Sequence, residues 1–401
     1  DIIMNIHEYQ AKKIFEQYGI KIPKGKIAYT PAEAVEVAQE VSKKGPWVLK
    51  AQIQSGARHK GYFLEKQAGH GGGVRILTKK KEIFENAKQM LGATLVTVQT
   101  GPVGKKVSRI YVEAFNKVES GFYMALAVGR VAAELTLLVA DIKDGDIMKI
   151  AMNKPKKVLR IKLDVDGDTR PEQVQQVMDF LKLPARAAHN LENLINGLHK
   201  AFLQKDAAMI EINPVGVMKN GELVALDAKI SFDDNALFRQ PEVAPLKDEC
   251  ELSERDIQAS KYKFTYSEFD GAVGCIVNGD GLALTAMDLL KDKNKGMACF
   301  INVKGGVDKD KIASGIKIIM TNPRVEGIML NILGGFVRCN LIADGIISAA
   351  SEVGLNVPLV VHFEGTNKAL AEEILRNSKL PIIWAETTED AVEKLVSAME
   401  E

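Results

Sequence analysis

Gly271-Ala272-Val273-Gly274-Cys275-Ile276-Val277-Asn278-Gly279-Asp280-Gly281 is an uninterrupted apolar run closed by a glycine turn. A run this short, rich in β-branched residues and bounded by glycine, reads as a strand buried on both faces. The same figure returns at 298–303, 327–332, 358–362 and 381–385, each followed by a segment of helical spacing. Strands alternating with helices specify a parallel sheet covered on both faces, and such sheets take ligands at the carboxyl ends of their strands. Those ends carry Asn278-Gly279-Asp280-Gly281, Val303-Lys304-Gly305-Gly306, Leu333-Gly334-Gly335-Phe336 and Phe363-Glu364-Gly365-Thr366-Asn367, which together suggest a concave edge of backbone amides. The first of them stops short of a dinucleotide fingerprint, because position 284 is leucine, and this disfavours a dehydrogenase.

Upstream, Pro241, Pro245 and the charged stretch 247–255 interrupt the rhythm, so a domain boundary is expected near 247, giving units 1–247 and 248–401, with a connecting segment continuing to about 268. Before the boundary, Met209-Ile210-Glu211-Ile212-Asn213-Pro214 and Glu222-Leu223-Val224-Ala225-Leu226-Asp227-Ala228-Lys229 read as a hairpin joined through Lys219-Asn220-Gly221. Alternation puts Glu211 and Asn213 on one face. A two-residue turn would send Asp227 to the other face, whereas a three-residue turn, favoured by glycine at its third position, sets Asp227 opposite Asn213. Oxygen ligands of this kind suit Mg2+ held with nucleotide phosphates. From spacing alone, a solvent-facing polar strand stays equally open.

The rest of the first unit mixes helices and strands. Asn5 and Glu8 resemble a capping box for a helix to Gly19, and Thr30-Pro31-Ala32-Glu33 a second. Strands are expected at 47–52, 94–98, 109–114 and 122–128, and helices at 171–181 and 185–204. Lys50 feeds a mobile, basic, glycine-rich loop that holds Arg58, Lys60 and Gly69-His70-Gly71-Gly72-Gly73. A lysine beside loop amides can neutralise a transferring phosphoryl group, although neither GxxxxGK[ST] nor GxGxxG occurs and a solvated surface loop is the plainer reading. His7, His59, His70, His189, His199 and His362 have no metal-ligand partner at i+4. A catalytic histidine, if the chemistry needs one, would come from another chain.

The 401 residues, 46% hydrophobic and 26% charged, are ordinary for a globular protein of two or three domains. With 53 basic against 52 acidic side chains the net charge is +1, so no global footprint for nucleic acid or an anionic membrane is present, and any polyanion site must be local. No apolar run reaches the roughly 18 to 20 residues of a membrane span, and the first residues lack a signal-peptide core. A soluble protein is expected, cytoplasmic in a bacterium or, as a processed organelle form, in the mitochondrial matrix. Cys250, Cys275, Cys299 and Cys339 form no CxxC pair and are expected to be buried thiols.

Together these residues closely resemble the β subunits of succinate–CoA ligase (succinyl-CoA synthetase). The resemblance rests on Met4-Asn5-Ile6-His7-Glu8-Tyr9-Gln10-Ala11-Lys12, Val48-Leu49-Lys50-Ala51-Gln52, Ile210-Glu211-Ile212-Asn213-Pro214, Leu226-Asp227-Ala228-Lys229, Gly334-Gly335-Phe336-Val337-Arg338-Cys339 and Leu341-Ile342-Ala343-Asp344-Gly345. It implies an α/β chain in which an N-terminal ATP-grasp domain (α+β) precedes a flavodoxin-like CoA-ligase domain. It further implies nucleotide contacts, to ATP/ADP or GTP/GDP, at Lys50, Ala57, Arg58, His59, Glu113, Asn116 and Gly121, and Mg2+ at Asn213 and Asp227. Glu211 would act catalytically by steadying a phosphohistidine brought by an α subunit, which also carries most of the CoA site. Succinate would bind at Asn278 and at a helix amino terminus around Gly335, Phe336 and Val337. The α subunit would dock on the edge of Asn278, Lys304, Gly335 and Arg338, and His70 would remain a surface-loop residue.

The chain departs from the family pattern at several of these places. Ala57 and His59 stand where the loop usually has glycine, Gly121 replaces an acidic residue, Gly129-Arg130 stands for Asp-Arg, and Asn302-Val303-Lys304-Gly305-Gly306 for Asp-Val-Gly-Gly-Gly. Asp280 and Asn340 are further changes. Two other functions are therefore carried forward: a ligase subunit for another dicarboxylate such as malate, and a catalytically weak β-like binding or stabilising subunit.

Overall fold

In the computed structural model the described residues are 3–129, 133–142, 147–166, 168–304 and 306–400; Arg130 and Gly305 fall outside them, as do the side chains of Met148, Cys250 and Phe336. The chain divides into two units, Asp1–Glu251 and Leu252–Glu401.

The N-terminal unit is built on antiparallel sheets. The largest runs Ile3–Asn5, Lys229–Asp233, Ala207–Val217, Ser120–Val128, Leu135–Asp141, Val158–Lys162, with Leu223–Ala225 also paired to Ala207–Val217. A smaller one runs Gly25–Ala28, Ile110–Ala114, Trp47–Ala51, Val74–Leu77. Pro171–Leu181 is helical as expected; its neighbour begins at Ala188 and runs to Gln204, after a single 3-10 turn at Ala185–Ala187. The first helix starts later than the Asn5 cap implies. Asn5 ends an edge strand, where its Oδ1 accepts from Ser231 at 2.7 Å, and the helix Glu8–Gln17 opens behind His7, whose N–H donates to Gln10 Oε1 at 2.8 Å. The strands Leu135–Asp141 and Val158–Lys162 and the helix Lys81–Met90 have no counterpart in the sequence reading.

The stretch read as a mobile loop is tied down. Arg58–Lys60 is a 3-10 turn, Gly73 N–H donates to the Arg58 carbonyl at 2.8 Å, and Arg58 itself is buried. Gly72 lies so close to His59 that an added Cβ would sit 2.5 Å from its carbonyl oxygen, which explains glycine there.

The C-terminal unit is the expected α/β layer. Its strands lie in the order Thr265–Glu268, Met297–Asn302, Val273–Val277, Gly327–Arg338, Leu359–Thr366, Ile382–Trp384, all parallel except the first. Leaving that edge strand aside, the spatial order 2-1-3-4-5 is the flavodoxin-like arrangement, with its switch point between Val273–Val277 and Gly327–Arg338. The connecting segment expected up to about 268 is in fact structured. Ser253 caps a helix Glu254–Lys261, Ala259 and Phe264 enter the core, and Thr265–Glu268 adds the antiparallel edge. Cys275, Cys299 and Cys339 are buried free thiols, as read.

Where two glycines meet, the unit tolerates nothing larger. A Cβ on Gly271 would lie 2.0 Å from the carbonyl carbon of Gly296, with backbone and not a flexible side chain in the way. Gly271→Ala is expected to destabilise this unit by about 1–3 kcal/mol, the ordinary cost of overpacking, as read from its denaturant midpoint.

Candidate functional site

Hairpin geometry fixes the centre of the site. Val217 pairs with Leu223, Val215 with Ala225 and Glu211 with Lys229, and this one register, continued across the unpaired gap between them, sets Asn213 opposite Asp227. Its turn is the three-residue one: Gly221 takes φ +85°, and its N–H donates to the Met218 carbonyl at 2.9 Å. Around the cis Asn213–Pro214 bond the ladder is interrupted, and there Glu211, Asn213 and Asp227 line one cavity with Glu8, Gly56 and Arg58. The cavity measures about 80 Å³, room for a hydrated ion and far below the ~300 Å³ or more of a ligand pocket.

A buried ionic network forms its floor. Glu8 accepts from Lys12 at 2.9 Å and Lys50 at 2.8 Å on Oε1, and from Arg58 at 2.5 Å on Oε2. Glu113 pairs with both lysines, reaching Lys50 at 2.8 Å. Arg58 also donates to Asp227 Oδ1 at 2.8 Å and to the Ala51 carbonyl at 2.9 Å. Burial alone would raise the Glu8 carboxyl, but Lys12, Lys50 and Arg58 outweigh it and hold it well below the ordinary carboxylate range. Lys12 answers in the opposite sense: burial lowers it, and Glu113 and Glu8 carry it above the usual lysine value.

Glu211 differs from these carboxylates. Burial raises it, and Lys229 and a hydrogen bond from the Tyr123 hydroxyl at 3.3 Å compensate only in part. A carboxylate pushed up in the folded state costs stability once it ionises, so its contribution is fully present below the ordinary carboxylate value and lost as the pH rises through the raised one. Glu211→Gln should therefore melt higher than the unsubstituted chain at neutral pH, and the difference should close in acid.

The remaining expected positions fall into distinct surroundings. Lys50 and Glu113 are buried inside the network, so neither carboxylate nor ammonium is open to the cavity in this conformation. Ala57 adopts a left-handed φ of +54°, and His59 is exposed. Asn116 is half-buried in the loop after Ile110–Ala114, and Gly121 lies in the strand beside Gly216, where an added Cβ would sit a tight 3.2 Å from the Pro214 Cβ. In the C-terminal unit the Asn278 carboxamide bridges the Leu333 backbone, donating to its carbonyl at 2.6 Å and accepting from its N–H at 3.1 Å. Gly335, Phe336 and Val337 do not open a helix. The central strand continues to Arg338 and the helix begins at Cys339, because beyond the Leu333 register shift the strand pairs again with Thr366; Val337 is buried in the core.

Glu8, Lys12, Tyr123 and Lys229 were not read from sequence as site residues; Glu8 was read only as part of a helix cap. The spacing of Glu8 and Lys12, a charged i,i+4 pair on one helix face, is the usual mark of a solvated surface. Among the described residues no cluster of three or more His, Cys, Asp or Glu side chains forms a metal cage, and no helix is long and apolar enough to cross a membrane.

Comparison with known proteins gives matches over both units. A family model described as an ATP-grasp domain matches residues 5–217 and one described as a CoA-ligase matches residues 276–396. The chain is 44% identical over 397 residues to the succinate–CoA ligase [ADP-forming] subunit beta of Bradyrhizobium sp. (strain BTAi1), covering 99% of each. It is 42% identical over 399 residues to the protein of that name from Rhodospirillum rubrum, covering 99% of this chain and all of the relative. Among solved structures, ATP citrate lyase from Methanothrix soehngenii in complex with citrate and coenzyme A superposes with a TM-score of 0.69 at 16% identity over the full length of both chains, a likeness of fold.

Proposed function

We propose, from the premise that this chain belongs to the succinate–CoA ligase β-subunit family, that it works as the nucleotide-using half of an ADP-forming acid–thiol ligase, paired with an α subunit. The balanced reaction is ATP + succinate + CoA ⇌ ADP + phosphate + succinyl-CoA. The observation that carries the residue assignment is the meeting of Glu211, Asn213 and Asp227 on one cavity wall beside Gly56 and Arg58.

The donor set there fits Mg2+. Asp227 offers a carboxylate and Asn213 a carbonyl oxygen, both hard ligands, and that ion takes only one or two protein groups when phosphates supply the rest. Asp227 takes its hydrogen bonds from Arg58 and from the Ala228 N–H on Oδ1, leaving Oδ2 for an ion. Bound there, the ion would neutralise charge on the phosphates. This chain's own groups do the rest. Lys50 and Arg58 would turn from their carboxylate partners to the nucleotide phosphates, and Glu211 would orient the α-subunit histidine. The bond from the γ-phosphorus to the bridging oxygen breaks as a phosphorus–nitrogen bond to that histidine forms.

The test is reconstitution with the α subunit and turnover with ATP or GTP and with succinate or malate. Succinate with ATP is expected to be the best pair; preference for malate would move the assignment to another dicarboxylate. The chain alone should show no synthetase activity, and incubation with radiolabelled ATP should leave His70 unlabelled. Acid-labile label on His70 would overturn the transfer in trans. Submillimolar binding of Mg-ATP by calorimetry is expected despite Ala57 and His59, and its absence would indicate a merely stabilising subunit.

A further inference from the structure

Lys12 is a wholly buried ammonium to which the reaction above gives no task. It sits on the first helix, Glu8–Gln17, and reaches Glu8 Oε1 at 2.9 Å, Glu113 Oε1 and the Leu226 carbonyl at 2.8 Å. Lys50, arriving from the strand Trp47–Ala51, reaches the same residues: Glu8 Oε1 at 2.8 Å, Glu113 Oε2 at 2.8 Å and the Leu226 carbonyl at 2.5 Å. Two cations from different elements thus duplicate one another on the same two carboxylates and the same backbone oxygen. Charge balance accounts for two ammonium groups beside two buried carboxylates, but not for both reaching the same backbone oxygen, that of Leu226.

The shared carbonyl belongs to the residue before Asp227. Because the peptide unit is planar, holding the Leu226 oxygen also holds the Asp227 nitrogen and the Cα from which its carboxylate projects. If Lys50 turns to the phosphates, Glu8, Glu113 and that oxygen would lose their cation unless another stayed behind. Burial would lower the Lys12 ammonium, yet the Glu113 and Glu8 carboxylates keep it charged well above neutral pH, so it is a fixed charge and not a proton carrier.

We propose that Lys12 is a positioning residue: it retains Glu8, Glu113 and the Leu226 carbonyl when Lys50 leaves them for the nucleotide, and so keeps Asp227 opposite Asn213 while the phosphoryl group moves. It touches no substrate. This rests on the reading of Asn213 and Asp227 as the Mg2+ ligands.

The experiment is calorimetric titration of ADP into the full chain at a series of Mg2+ concentrations, comparing Lys12→Met, Lys12→Arg and Asp227→Ala. Residues that orient a metal ligand typically cost about 10–100-fold in metal affinity when removed, so Lys12→Met should raise the Mg2+ needed for half-maximal ADP binding by at least about tenfold. Lys12→Arg, which keeps a charge and several donors, should recover most of it. A role in folding only would lower the bound fraction without moving that Mg2+ midpoint. A folded Lys12→Met variant with an unshifted midpoint overturns the proposal. Should Lys12→Met fail to fold, Lys12→Gln, which keeps a donor without the charge, takes its place, and a shift in the same direction is expected of it, an unshifted midpoint again being fatal. ADP binding indifferent to Mg2+ in the unsubstituted chain, or unaltered in Asp227→Ala, would instead overturn the metal reading beneath the proposal.

Discussion

Alanine at position 227 is expected to cut ATP-dependent phosphorylation of the α subunit by at least about 10²-fold, the scale on which a preorganised charge at a reacting phosphoryl group matters. The same substitution should leave the fold and subunit association almost untouched. The Asp227 side chain is 39% exposed, and Arg58, its partner, retains Glu8 and the Ala51 carbonyl. With Asp227 partly open and Arg58 buried, the pair lies between an exposed one, worth about 0–1 kcal/mol, and a fully buried one, whose disruption costs about 3–5 kcal/mol, so a modest fall in melting point is expected without loss of the fold. Function and stability are thereby separated in one variant. Transfer of radiolabel from ATP reads the first, and co-purification with the α subunit plus a melting curve reads the second. Undiminished labelling in Asp227→Ala would remove this residue from the metal site, whereas loss of association would make its role structural.

That carboxylate could be placed from sequence because the information was local. Gly221 at the third turn position selects the three-residue loop, the loop fixes the register, and the register sets Asp227 against Asn213. A two-residue turn would have moved every side chain of the returning strand to the other face. The floor beneath it was not legible in the same way. Glu8, Lys50, Glu113 and the Leu226 carbonyl come together from distant parts of the chain, and nothing in the neighbourhood of the three charged residues announces that their charges are buried. Arg58 reads as one more cation in a basic loop; only the folded chain turns it inward between Glu8 and Asp227.

The parallel sheet followed from its repeated apolar runs, but the central strand did not end where its apolar character fades. Gly334, at φ +142°, absorbs a register shift, and the chain rejoins Leu359–Thr366 at Arg338. Backbone pairing outlasts the hydrophobic signal there, so the strand runs past Gly335, Phe336 and Val337, where the resemblance implied a helix amino terminus, and the helix begins at Cys339. In the N-terminal unit Leu135–Asp141 went unassigned although Gly129 and Asp144-Gly145 flank it in sequence; its place is set by pairing along Ser120–Val128.

Removal of Glu8 should have the largest effect on stability of any substitution considered. The network balances Lys12, Lys50 and Arg58 against Glu8, Glu113 and Asp227, and Glu8 is the member that touches all three cations. Glu8→Ala leaves those cations facing Glu113 and Asp227 alone, and stripping one partner from a buried ionic group costs about 3–5 kcal/mol. For a unit of this size, each kcal/mol moves a melting point by about 2–4 °C, so the N-terminal transition should fall by about 6–20 °C. The transition of the C-terminal unit should stay where it is. Glu8→Gln keeps the oxygen acceptor and loses only the charge, so it belongs between the two. The pH dependence gives an independent check. Because the folded Glu8 carboxyl lies below its unfolded value, its stabilisation is present above the ordinary carboxylate range and is lost as the pH falls through the depressed value. The gap between the unsubstituted chain and Glu8→Gln should thus be widest near neutrality and close in strong acid. A gap that stays constant with pH would mean that packing of the side chain, and not its charge, holds the floor of the site together.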